Sequence, residues 1–377
     1  MNRLLLIVLP FLISDRCPAE APYAARTFGP LSGKRQLQQD GQHLYCLTKA
    51  GQLRIFSKAA LRAGMKEIKP PPKPVGALKL NGVPETLEWT GPKTLCIGTG
   101  NHLALVDVSQ PANPKLITEH QIAKREIEGA SEVRAKGKFL YVAARIQGLL
   151  RFDISDPKRL VPAGAIKLRG FSYGVDLKDG TAAVATGIGI AFVDVSGKEL
   201  VLKSTFDTVR NTEMVRYSGS HLISCSKHYT TVWSLKDPGQ PEELSEVSTM
   251  DPFYFTHLCA MHVTRDHIFV GGGEGGLYLY DWRAPKSPRL IVQYSFWGTK
   301  KRLTPEKKMG YVKALGLARN DKEARKFITE RENNYIIGMG MAVDGAYVYF
   351  VDWHDKLWGL EVELSPSPTA RCVVRPE

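Results

Sequence analysis

"ALVDVSQPANPKLI" (residues 104–117) is an apolar strand that ends in Asp and Ser and then turns on two prolines. Near-copies follow, "LLRFDISDPKRLV" at 149–161 and the shortened "AFVDVSGKELVL" at 191–202. With the Asp of this phrase as a ruler, Ile55, Asp107, Asp153, Asp194, Ser234, Asp281 and Glu361 fall in register, 52, 46, 41, 40, 47 and 80 residues apart. A period of about forty to fifty residues is that of a repeat array whose unit holds four short strands.

The unit is clearest in the third copy. "SEVRAKG" (131–137) reads as a strand ending on a Gly turn, followed by strands "KFLYVAA" (138–144), "GLLRFDIS" (148–155) and "AGAIKL" (163–168), here called a to d. Four places before the turn the copies read Leu37, Leu87, Val133, Val175, Val215, Met261 and Met341. Four places after it they read Tyr45, Leu95, Tyr141, Ala183, Ile223, Phe269 and Tyr349. Apolar residues at both positions in every copy are what period-two burial demands. The expectation is an all-β, seven-bladed β-propeller forming a single domain over 34–377. Its blades are placed at 34–80, 85–121, 128–169, 173–206, 212–248, 257–296 and 336–377. Each copy holds its own four strands on this reading, so no blade is shared between the chain ends. Residues 22–33 are at most an extra edge strand near Cys372.

The third-strand phrases, each preceded by a "YVAA"-like strand, resemble the LVIVD repeat, a β-propeller repeat of bacterial and archaeal proteins. The resemblance is most specific in blades 2 to 4 and degraded in 1 and 7. It implies a propeller, commonly on exported or surface proteins, and it implies no reaction.

The N-terminus "MNRLLLIVLPFLISDRCPAEAPYAA" has a basic residue, an apolar run and small-residue cleavage points. That is the pattern of a secretory signal peptide over 1–19, with cleavage as late as 25, the alternative being a buried first strand. Export to the periplasm, cell surface or medium would follow. The run is too short to span a bilayer, and no later segment is long enough. Hydrophobic content of 43% and charged content of 24% are otherwise those of a soluble globular chain. Cys46, Cys96, Cys225, Cys259 and Cys372 form neither a disulfide framework nor a zinc motif, and free thiols are expected. Cys46 and Cys96 are assigned one register of strand b, as small apolar core residues.

The 80-residue interval holds a departure from the repeat, "TKKRLTPEKKMGYVKALGLARNDKEARKFITEREN" from Thr299. Thr304-Pro305-Glu306 and Asn320-Asp321 are helix starts, so a short helical insertion is expected between blades 6 and 7, over 299–334. It carries eleven Lys or Arg against five Asp or Glu, much of the chain's net +13. Lys300, Lys301, Arg302, Lys307 and Lys308 lead it. Such a segment is either a basic lid for an acidic partner or a solvated helix surface. A smaller insertion, "KAALRAGMKEIKPPPKP" (58–74), lies between strands c and d of blade 1, is stiffened by its prolines, and is read as structural.

Strand a is innermost in a propeller, so its polar face lines the channel. Three places before the turn the copies read Gln38, Glu88, Arg134, Asp176, Arg216, His262 and Ala342. Alternating signs on adjacent blades predict a ring of ion pairs, since inward charges need partners. The alternative is a ligand site in which Arg134 and Arg216 clamp a carboxylate or phosphate, with Glu88, Asp176 and His262 beside them. His257, Glu274, Asp352, His354 and Asp355 fall in loops of blades 6 and 7 beneath the insertion. They are candidates for a metal site or a His–carboxylate acid/base pair, although solvated loop residues would read the same. "GGGEGG" (271–276) is a glycine turn, because no Lys-Ser/Thr follows it.

The chain is therefore expected to be an exported, non-catalytic and monomeric scaffold, with no cofactor. Its partner is an unidentified macromolecule, an anionic one being taken on the face that carries the basic insertion; nucleic acid is not the expected one. The alternative is an extracellular hydrolase or lyase using His257, His354, Asp352 and Glu274, metal-dependent in one version.

Overall fold

Short extended segments dominate because each copy alternates buried and solvated residues and punctuates them with tight turns. The computed structural model describes residues 26–30, 37–48, 51–67, 72–125, 128–209, 211–226, 228–237, 240–249, 258–272, 276–294, 340–351 and 356–362, with 313, 319–323 and 325 between the last groups. The chain opens with β1 (Arg26–Pro30). Blade 1 follows with β2 (Leu37–Gln39), β3 (His43–Thr48), β4 (Gln52–Ser57), helix α1 (Lys58–Glu67) and β5 (Gly76–Lys79). Blade 2 is β6 (Thr86–Gly91), β7 (Thr94–Gly98), β8 (His102–Asp107) and β9 (Lys115–Gln121). Blade 3 is β10 (Glu132–Lys136), β11 (Phe139–Ala143), β12 (Leu149–Asp153) and β13 (Val161–Ile166). Blade 4 is β14 (Gly174–Lys178), β15 (Thr181–Ala185), β16 (Gly189–Asp194) and β17 (Val201–Asp207). Blade 5 is β18 (Met214–Ser218), β19 (His221–Cys225), β20 (Tyr229–Ser234) and β21 (Glu242–Ser248). Blade 6 is β22 (Leu258–Val263), β23 (His267–Gly272), β24 (Gly276–Asp281) and β25 (Arg289–Tyr294). β26 (Met341–Asp344), β27 (Tyr347–Val351) and β28 (Lys356–Glu361) end the described chain.

Six sheets are four consecutive antiparallel strands, and these are self-contained blades. The last sheet is not: its order is β1-β28-β27-β26, with Arg26 opposite Gly359. This corrects the expectation of seven blades that each hold their own four strands. The array closes by lending an N-terminal strand to the C-terminal sheet, which covers an edge that three strands alone would leave open. The innermost strands neighbour one another in the order β2, β6, β10, β14, β18, β22, β26 and back to β2. Apolar cores fill the seams between neighbouring sheets, for example Tyr45 and Ile55 with Leu95 and Ala104, or Tyr141 and Leu149 with Val184 and Ala191.

The signature Asp ends strand c. Asp107, Asp153 and Asp194 accept the backbone N–H two residues on, at 2.8, 2.8 and 2.9 Å. These bonds hold the three carboxyls below their ordinary value, Asp194 at about 2 with a second bond from the Ser196 hydroxyl. In blade 1 the residue at this register is Ser57, opposite His43, and not Ile55. A slip of two keeps the same face of a strand, which is why apolar patterning does not reveal it. Cys96 is likewise one place off Cys46: it lies opposite Glu88, whereas Cys46 lies opposite Leu37. Cys46, Cys96 and Cys225 are buried free thiols, and burial pushes all three upward, Cys225 to about 12.

The smaller insertion forms α1, a helix where only a stiff connection was expected. Lys58, almost fully buried, reaches Gln39 Oε1 and Asp344 Oδ2, both at 2.7 Å. Arg62 also pairs with Asp344, lies 4.2 Å over the Tyr347 ring and donates to the Tyr349 hydroxyl at 3.2 Å. α1 thus clamps blade 1 to the closing sheet. Of the basic insertion, residues 313, 321–323 and 325 are helical. Asn320 caps this turn as expected, accepting the Glu323 N–H at 2.9 Å. The residues of 299–334 other than 313, 319–323 and 325, the signal segment 1–25 and the C-terminal part of the expected blade 7 lie outside the described residues. No helix among the described residues is long and apolar enough to cross a membrane.

Candidate functional site: the polar inner ring

Strands β6, β10, β14, β18 and β22 bring Glu88, Arg134, Asp176, Arg216 and His262 to the same register of the inner face. Arg134 Nη1 bonds Glu88 Oε2 at 3.1 Å, and its Nε lies 3.9 Å from Asp176 Oδ1, so neighbouring blades do pair. Gln38 extends the chain, donating to Glu88 Oε2 at 3.2 Å. Arg216 departs from the expected alternation. Its fork meets Glu132, at 2.6 and 3.3 Å, across the intervening blade. Asp176 instead accepts the Tyr217 backbone N–H at 2.7 Å.

Glu132 is the hub that reading three places before the turn did not select. It also takes Arg134 Nη2 at 2.8 Å and the Val175 N–H at 2.9 Å, with its side chain 4% exposed. The signal was present, because Glu132 and Arg134 are two apart and share a strand face. Glu132 passes blade 4 because that blade has Gly174 at the equivalent position. A Cβ there would stand 3.1 Å from Glu132 Oε2 and 2.7 Å from the Glu213 carbonyl oxygen. In blade 2 the same position is Thr86, whose hydroxyl accepts the Val133 N–H at 3.2 Å.

The electrostatics separate the two glutamates. Burial opposes ionisation of Glu132, but Arg134, Arg216 and the Val175 N–H outweigh it and hold the carboxyl below its ordinary value. At Glu88 burial prevails over Arg134, with Glu132 adding repulsion, and the carboxyl is raised. His262 is lowered to about 4, first by burial and then by the Arg216 and Arg134 charges. A neutral imidazole beside two committed guanidinium groups makes this ring an inter-blade network whose cations already hold carboxylates.

His257, Glu274, Asp352, His354 and Asp355 lie outside the described residues, as do Lys300, Lys301, Arg302, Lys307 and Lys308. Among the described residues no three His, Cys, Asp or Glu side chains gather closely enough to hold a metal ion.

Residues 94–121 and 129–165, in blades 2 and 3, match the LVIVD repeat. No curated protein matches the chain in sequence. Among solved structures it is similar in fold to the Cps50 (Swd1) β-propeller domain of Myceliophteria thermophila, at 11% identity and a TM-score of 0.61, covering 89% of this chain and 99% of that one. A chain of the mitotic checkpoint complex is similar at 10% identity and 0.60, covering 96% and 99%. The computationally designed Ika8 protein is similar at 10% and 0.54, covering 86% and 82%.

Proposed function

We propose that this LVIVD-repeat β-propeller is an exported interaction scaffold that performs no catalysis and takes an anionic macromolecule on the face carrying its basic insertion. The observation that carries the reading is the internal commitment of the inner ring. Arg134 and Arg216, the cations best placed to clamp a ligand in the channel, both bond Glu132. Recognition then falls outside the ring, and in the sequence the 299–334 segment concentrates a balance of +6. The apolar run and small residues at the N-terminus support export.

The test is binding of dextran sulfate to the whole chain and to a variant with 299–334 replaced by a short Gly/Ser linker. Affinity should fall with salt, and should be lost in the variant while its thermal unfolding stays cooperative. Unchanged affinity after the replacement would reject the scaffold face.

A further inference from the structure

The repeat supplies its own control for what a seam between blades normally contains. Directly opposed residues on strands b and c face the preceding blade and are Ile97/Ala104, Val142/Leu150, Val184/Ala191 and Val270/Tyr278, with Cys46/Arg54 in blade 1. Blade 5 has Ser224/Thr231 at this place, the one pair of hydroxyls among those described. Both residues are mostly buried, at 4% and 6% exposure, so two hydroxyls occupy what in blades 2, 3, 4 and 6 is an apolar or aromatic pair, and Ser224 accepts the Trp233 indole N–H at 2.8 Å. Beside them the seam between blades 4 and 5 opens into a cavity of about 190 Å³.

Its apolar wall is Phe206 against Trp233, with ring centroids 4.9 Å apart and edge to face. Its charged residues are Asp207, Glu243 and Glu246, and none of the described lining residues is basic, in a chain of net charge +13. Asp207 is engaged at the rim by Arg169 at 3.1 Å. Glu246 accepts from the Thr231 hydroxyl at 3.5 Å. The cavity therefore joins an aromatic wall, hydroxyl acceptors and carboxylates of one sign, and that combination favours a cation carried on an apolar stem.

We propose that the cavity between blades 4 and 5 binds an organic cation, a guanidinium or ammonium headgroup whose methylene stem lies against Phe206 and Trp233 and whose N–H groups reach Glu243 and Glu246. The site does not depend on the basic insertion or on the reading drawn from it.

The experiment is calorimetric titration of the full chain with n-butylguanidinium and with its neutral isostere n-butylurea. The cation should bind about tenfold more tightly or better, the discrimination expected of charge-assisted hydrogen bonds. The Glu243→Gln, Glu246→Gln double variant, altered only at exposed positions, should lose that discrimination. Ser224→Val removes the hydroxyl that accepts the Trp233 indole N–H at 2.8 Å and frees that wall of the cavity, so it should weaken binding and lower the melting temperature while unfolding stays cooperative. Acetyl-Gly-Arg-Gly-amide separates the sources of the headgroup: tighter binding than n-butylguanidinium points to a peptide side chain, and equal binding to a free cation. Equal affinity for the two isosteres, or discrimination that survives the double variant, would overturn the proposal.

Discussion

Acidification between pH 6.5 and 4.5 should weaken the fold through His262, and the size of the effect follows from its place in the ring. An unfolded histidine titrates at 6.5, whereas burial and the Arg216 and Arg134 charges lower the folded group to about 4. Above pH 6.5 both states are neutral and the stability is fully present. As the pH falls, the unfolded chain takes up a proton that the folded chain refuses, so stability is lost until the folded imidazole also protonates. A gap of this size corresponds to a loss of about 3 kcal/mol, most of it complete by pH 4.5. Other groups titrate in the same window. His221 and His267 are also lowered, mainly by burial, and act with the same sign, while the raised Glu88 acts with the opposite one. The difference between wild type and His262→Gln removes these common contributions. Urea unfolding at steps from pH 7.5 to 4.5 should show wild type losing about 2–3 kcal/mol more than the variant over that range. Parallel pH profiles would refute the reasoning, because they would mean that His262 meets the same proton affinity folded and unfolded.

Two further predictions concern the buried polar residues. Glu132→Gln removes the charge that two guanidinium groups share and should cost about 3–5 kcal/mol in urea unfolding at pH 7. Glu88→Gln should cost clearly less, because burial already disfavours its charge and Arg134 keeps Glu132; equal losses would show that Glu132 is not the hub. Arg151, 2% exposed, donates to the carbonyls of Ala163, Val195, Gly197 and Lys198 and lies 4.7 Å over the Phe139 ring. Arg151→Met keeps the stem but strands those carbonyls, and should lower stability by about 3 kcal/mol in the same assay.

Much of this was legible because a repeat is read many times over. Apolar residues at two registers placed the strands, and the same ruler brought Glu88, Arg134, Asp176, Arg216 and His262 to one level of the inner face. What the ruler missed are features without periodicity. Glu132 stands two residues from the chosen register, and its reach depends on the missing side chain of Gly174, which nothing in blade 4 alone announces. β1 is five residues, "RTFGP", within the 22–33 segment read as at most an extra edge strand; its Gly and Pro are poor strand formers and its partner strand lies at the far end of the chain, so the ruler did not reach it. Loop-closing contacts of that sequence separation leave no local pattern. α1 was available in its run of good helix formers, "KAALRAGMKE", but the stiff proline end that follows it alone shaped the expectation.

These departures have a common physical basis. Blades that each pack on the next close into a ring by rotation, but in a single chain the seam between the first and last sheets has no peptide connection to hold it. That seam is therefore where residues outside the repeat add most. Here the lent strand β1 and the Lys58, Arg62 and Asp344 clamp lie at the one seam where chain beginning and chain end meet. The polar hub answers a different demand. Glu132 ties blade 3 to blade 5 across blade 4, which resists sliding of neighbouring blades in a way that apolar seams of similar shape do not. The Ser224/Thr231 pair is a departure of a third kind, because it closes nothing and ties no blades together. Ser224 accepts the Trp233 indole N–H at 2.8 Å and Thr231 donates to Glu246 at 3.5 Å, so the pair orients the aromatic wall and one carboxylate of the cavity. A seam that places polar groups in this way is where a ligand site is to be sought.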